Sequence, residues 1–213
     1  MENQGDFLII FQLGTGLFWI LTYILIIKRG FQDKTYGMPM AAICANISWE
    51  FIFSFIYPHN GIQNIINIIW FMLDIIIVFQ YLKYGKRQLK KYISVKFFYK
   101  SFFITLGLSF LIIIAITLEF KDFSGKYSAF AQNLMMSGLF ILLLLRRGNL
   151  SGQSIYIAVF KMIGSLFAAV AFILYFESYL IKIISVATLI YDWIYIFLVC
   201  KFNRKKIVYK RII

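Results

Sequence analysis

Apolar residues run along this chain in seven blocks, each about 20 residues long and each closed by charged or turn-forming residues. The blocks fall at roughly 7–27, 37–57, 61–82, 99–119, 126–145, 153–175 and 179–200. An α-helix of that length crosses a hydrocarbon layer about 30 Å thick. The pattern predicts an all-α membrane protein, a seven-transmembrane-helix bundle. It makes one membrane domain over 1–213, with a basic tail after Cys200.

Composition agrees. The chain is 62% hydrophobic, 15% charged and holds two prolines, where soluble domains are roughly 45–50% apolar. Lipid, not a protein core, must solvate the excess. The N-terminus, MENQGDF, is acidic where the leading region of a signal peptide is basic, so the first block is expected to stay as a helix.

Charge sets the orientation. Of the 22 basic residues, 18 fall on one side: Lys28, Arg29 and Lys34, then 83–100, then Arg146 and Arg147, then 201–211. Basic loops mark the cytoplasmic face, which places the N-terminus outside and the C-terminus in the cytoplasm. The net charge of +13 is thereby assigned to anionic lipid headgroups and not to nucleic acid. Cys44 and Cys200 lie within or at the ends of helices and predict no disulfide. One histidine with two cysteines makes no zinc set, and no cofactor is implied.

The polar residues inside the blocks carry the chemistry. Glu50, Asp74 and Asp192 sit in the second, third and seventh helices, and ionisable groups at such depth usually mark chemistry or transport. Asn46 lies one turn before Glu50. Asn67, Trp70 and Asp74 share a stripe, as do Ser185, Thr188, Asp192 and Tyr195. Gln12, Thr15, Gly16, Trp19 and Tyr23 make the stripe of the first helix, Gln132, Asn133 and Ser137 mark the fifth, and Ser154 and Lys161 the sixth. Such stripes face inward and describe a polar-lined cavity with aromatic walls. Trp19, Trp49, Trp70 and Trp193 lie well inside their spans, and Trp49 and Trp193 adjoin carboxylates, which favours a cavity wall for at least some of the four. Asn67, Gln80, Ser109 and Thr117 read as glue between helices. Lys161 is expected to snorkel or to pair with a carboxylate. The loop RRGNLSGQS reads as a positive-inside loop in which Ser151 caps the sixth helix.

A buried carboxyl is pushed towards its neutral form and becomes a proton donor. Aromatic faces stabilise a cation by about 2 kcal/mol or more when desolvated, and a dry pocket protects it from water. This combination suits protonation of an isoprenoid followed by carbocation cyclisation. An epoxide is the easier target, because its oxygen is far more basic than an alkene.

The stretches GMPMAAICANISWEFIFSFIYP (37–58), NIIWFMLDIIIVFQ (67–80), QNLMMSGLFILLLLRRGNLSGQS (132–154) and YDWIY (191–195), with Phe18, Trp19, Thr22 and Tyr23, stand in a telling order. They resemble the integral-membrane terpene cyclases of fungal meroterpenoid and indole-diterpene pathways, a family with bacterial relatives and seven helices. The resemblance implies that Glu50 and Asp192 are the family's essential acids, initiating protonation of a prenyl chain, with Asp74 in support. Candidate substrate contacts are Trp19, Tyr23, Asn46, Trp49, Trp70, Gln132 and Tyr195. The expected partners are a hydrophobic prenylated or isoprenoid molecule and membrane lipid. Richness in Ile, Lys and Phe suggests an AT-rich genome and a bacterial inner membrane. There is no Asp-Asp pair, so the metal-binding DDxxD signature of soluble cyclases is missing.

The rival reading is a small proton-coupled transporter or channel using the same carboxylates. Helices 1–3 and 5–7 do not align as internal repeats, which would have been its best pointer.

Overall fold

The computed structural model describes residues 2–90 and 92–212, with side chains from Leu8 to Arg204 apart from Lys91. Lys91, Lys205, Lys206, Lys210 and Arg211, part of the charge argument, lie outside the described side chains. All regular structure among the described residues is helical: α1 (Glu2–Gln32), α2 (Met40–Phe51) with a π-helical turn (Ile52–Ile56), α3 (Ile62–Leu89), α4 (Val95–Glu119), α5 (Lys126–Arg147), α6 (Ile155–Tyr175) and α7 (Tyr179–Ile212).

Six of these helices are long and apolar enough to cross a membrane. The second block is the exception. It is a shorter apolar helix, Met40–Ile56, begun at Pro39. Pro58 sits just past its end and disfavours helical backbone at Tyr57.

Several helices overrun their apolar blocks. α1 continues through Lys28 and Arg29, α3 to Leu89 and α7 to Ile212. Charge marks where lipid ends, and a backbone that satisfies its own hydrogen bonds has no reason to uncoil there. What stops α1 is a left-handed residue, Lys34 (φ 51°), with the Thr35 N–H returning to the Gly30 carbonyl at 2.9 Å. α6 begins at Ser154, whose hydroxyl accepts the Ile157 N–H. Ser151 does not cap it: the chain is still turning there, and its carbonyl accepts from Arg147 instead.

α2 sits in the middle, against α3, α4 and α5; α1 packs on α3 and α6, and α7 on α5 and α6. Nearly every side of α2 is therefore enclosed, and Ala42 to Asn46, Ser48, Trp49 and Glu50 are all buried. Gly125, at the start of α5, has φ 65°, and a Cβ there would run into the Phe53 ring. That close approach brings the 120–125 loop down onto the end of α2.

Candidate functional site

Between α1, α2, α3, α5 and α6 the helices leave a cavity of ≈ 110 Å³. α1 lines it with Thr15, Trp19 and Tyr23, spaced at one helical turn so that all three share a face. α2 contributes Asn46, Trp49 and Glu50, and α3 contributes Trp70. From α5 come Ala129, Phe130, Gln132, Asn133 and Met136, and from α6 Ala168. Aromatic rings make up much of the wall, and the polar atoms are few.

Those atoms are connected. Asn46 donates its amide to the Tyr23 oxygen, and the Tyr23 hydroxyl donates to Glu50 Oε1 at 3.1 Å. The Trp19 ring meets Tyr23 edge-on at 5.8 Å between centroids. The Asp74 carboxyl, fully buried on α3, is a neighbour of Glu50. Glu50 Oε2 and both Asp74 oxygens find no donor among the described residues. Two neighbouring buried carboxylates cannot both carry charge without a high cost, and a proton on one of them relieves the pair. The Gln132 Oε1 and Trp70 Nε1 atoms are also buried and unpartnered, leaving an acceptor and a donor free on the cavity wall.

A second cluster stands behind the α5–α6 wall. Lys161 Nζ lies 2.6 Å from Asp192 Oδ1, with both side chains fully buried. It also lies 2.6 Å from Ser137 Oγ and 3.5 Å from Asn133 Oδ1. Asn133 in turn donates to Ser165 at 3.0 Å.

The roof near Glu50 comes from loops. Trp49 Nε1 donates to the Gly125 carbonyl at 2.9 Å. The π-helical turn misdirects the Phe53 carbonyl, which is taken up by the Asn67 amide at 3.2 Å. His59 bridges Asn67, 2.9 Å from its Nδ1, and the Ser124 carbonyl, 3.0 Å from its Nε2; the tautomer protonated on Nε2 satisfies both.

Of the residues singled out in the sequence, Trp19, Tyr23, Asn46, Trp49, Glu50, Trp70 and Gln132 meet at the cavity. Asp74 is behind Glu50. Asp192 and Tyr195 are fully buried but do not line the cavity; Asp192 faces Lys161, and the Tyr195 ring packs on Phe140 at 5.6 Å. Trp193 belongs to none of this. It is 63% exposed on the outer surface of α7, because a residue next to Asp192 points about 100° away from it. Phe130, Met136, Ala129 and Ala168 were not foreseen, since one apolar residue on an apolar helix carries no mark of which way it faces. His59, a lone histidine just past an apolar block, carried none for the roof.

The fold and this chamber define an integral, multi-pass membrane protein that presents a carboxyl among aromatic faces. The chain belongs to the Pyr4-like transmembrane terpene cyclases, whose family model matches residues 5–205, and it is a terpene cyclase by that membership. It is similar to the Pyr4-family terpene cyclase mfmH of Annulohypoxylon moriforme, at 32% identity over 78% of this chain and 69% of that one. It is also similar to terpene cyclase macJ of Penicillium terrestre, at 27% identity over 74% of this chain and 63% of the other. Its similarity to terpene cyclase pyr4 of Aspergillus fumigatus is 32% over 36% of this chain and 32% of that relative. The last two matches thus span less than two thirds of those relatives. No solved structure matches.

Proposed function

We propose that this chain cyclises a prenyl chain by donating a proton from Glu50 to an epoxide oxygen or terminal alkene, with no metal in the step. The observation that carries the reading is that Glu50 is the carboxyl lining an aromatic cavity, with Asp74 against it. Proton transfer opens the epoxide C–O bond, or saturates one alkene carbon, and leaves a tertiary cation. Successive alkene π pairs attack it, closing rings, and loss of a proton ends the cascade. The proton gained at the start equals the proton lost at the end, so the net reaction is an isomerisation.

Trp19, Trp49, Trp70 and Tyr23 would stabilise the moving charge through their ring faces. Asn46 holds the Tyr23 hydroxyl on Glu50 and so supports the carboxylate left after proton transfer. Gln132 offers a free carbonyl oxygen to a polar group of the substrate. Asp74 returns a proton to Glu50 between turnovers. Asp192 and Tyr195 complete the residues required, from behind the wall.

In this reading α2 also crosses the bilayer, giving seven spans and one membrane domain over 1–213. The basic residues on one side support an N-terminus outside and a cytoplasmic C-terminus that meets anionic lipid and not nucleic acid. The Ile-, Lys- and Phe-rich composition supports a bacterial inner membrane, although the relatives named above are fungal.

Membranes containing the chain, supplied with prenylated aromatic acceptors and their terminal epoxides, should form cyclic isomers. Glu50→Gln, present at normal protein levels, should form none, and Asp192→Asn should form far less of the fully cyclised isomer. Proton-coupled uptake in proteoliposomes without any cyclic product would sink the reading.

A further inference from the structure

The chemistry above leaves Lys161 unused, yet its surroundings are complete. It is fully buried, and its nitrogen has three neighbours: Asp192 Oδ1, Ser137 Oγ and Asn133 Oδ1. The Ser137 hydroxyl spends its own hydrogen on the Asn133 main-chain carbonyl at 3.0 Å. A carboxamide oxygen can only accept, so lysine is the donor to both α5 side chains. The third contact is the ion pair. Its 2.6 Å Nζ–Oδ1 separation is that of a charge-assisted hydrogen bond. An ammonium has three hydrogens, and here three acceptors take them, which satisfies the lysine half of the buried pair, while Asp192 Oδ2 finds no donor among the described residues.

One of these contacts, and a nearby ring, lead to the cavity. Asn133 lines it, and its amide is fixed from behind by Lys161 and Ser165. Trp19 lines it too, and the Lys161 nitrogen lies 5.6 Å from the Trp19 ring. Gly164, one turn along α6, leaves the room that ring needs: a Cβ there would fall 2.8 Å from Trp19 Cδ1. One face of α6 therefore sets both wall residues.

We propose that Lys161 is a positioning residue of the cyclase: it holds Asp192 as a fixed anion and uses that pair to set the Asn133 amide and the Trp19 ring, leaving proton delivery to Glu50. Its catalytic meaning rests on the cyclase reading. The ionisation state it assigns to Asp192 does not.

Infrared difference spectra of the full chain in lipid nanodiscs test that state directly. Asp192→Asn should remove a carboxylate stretch, and Lys161→Met should convert it to a carboxylic-acid carbonyl stretch. Loss of a carboxylic-acid band in Asp192→Asn would show that Asp192 carries a proton, and the proposal would fall. This single comparison decides even if Lys161→Met does not accumulate.

Turnover of an epoxidised prenyl acceptor gives the second arm, normalised to folded protein. Each single variant should lose activity and release more of the early-quenched, partly cyclised products. The double variant Lys161→Met/Asp192→Asn removes the pair as one unit, so its loss should be no larger than that of the worse single variant. Losses that multiply in the double variant would show the two residues acting independently and overturn the positioning role. A wild-type protein that forms no cyclic product would count against the cyclase reading, and the infrared arm would then decide the ion pair by itself.

Discussion

On the α2–α3 wall two carboxyl groups, Glu50 and Asp74, meet with no cation beside them among the described residues. Behind the α5–α6 wall one carboxyl, Asp192, meets a lysine 2.6 Å away. All three acids are buried to 2% exposure or less, so depth does not distinguish them. Their neighbours do. A carboxyl beside a carboxyl can pass a proton on, because one of the two must hold it. A carboxyl beside an ammonium is a fixed charge, which shapes its surroundings and has no proton to give.

The largest effect expected from breaking this contrast is on the acid itself. Glu50→Gln keeps the shape and removes the transferable proton, and should lower cyclisation by about 10²–10⁴-fold, read as product per folded enzyme. Lys161→Met attacks the other cluster and should act first on stability. It leaves Asp192 buried without a partner, a loss of about 3–5 kcal/mol, measurable as a lower unfolding midpoint in detergent.

Asp74→Asn should sharpen the comparison, since the amide still fills the space but cannot recharge Glu50. Multiple-turnover rates should fall while the first turnover survives, and an equal loss of both would remove Asp74 from the proton path. Trp70→Leu removes a ring face at the cavity and should cost about 2 kcal/mol of cation stabilisation, seen as more early-quenched product. Trp193→Phe, on the outer surface, should change stability by no more than about 0.5 kcal/mol and leave the products alone.

Much of the architecture was legible because lipid imposes long apolar runs, and such runs are hard to miss. Which face of each helix turns inward was legible only where polar residues marked it. Asn46, Glu50, Asp74, Lys161 and Asp192 are all buried, as membrane solvation demands. Hydropathy itself misleads about burial here. α4 has the highest mean hydropathy of the six long spans, 2.5, with only 17% of its span buried, while α5 at 1.7 has 39%. In water an apolar residue seeks the core; in lipid it is content outside.

The candidate site divides the same way. Glu50 and its hydrogen-bonding company stood out as polar residues at helical spacing. Phe130 and Met136 did not, being apolar among apolar neighbours. The pairing of Asp192 with Lys161 was one of two fates open to that lysine, and only the packing of α6 on α7 chose it. Adjacency to a carboxylate says little for Trp193, because adjacent residues on a helix face different ways.

The π-helical turn at Ile52–Ile56 gives the segment after Glu50 an unusual sensitivity to length. A π turn closes its hydrogen bonds one residue later than an α turn, as the Tyr57 N–H to Ile52 carbonyl bond at 2.8 Å shows. Excising a single residue there would let the stretch wind as ordinary α-helix, leaving Glu50 in place. Everything beyond would swing by about 100°, and the Phe53 carbonyl would part from Asn67. Relatives differing by one residue at this point would inherit the same acid under a different ceiling, and so could fold a different substrate beneath it.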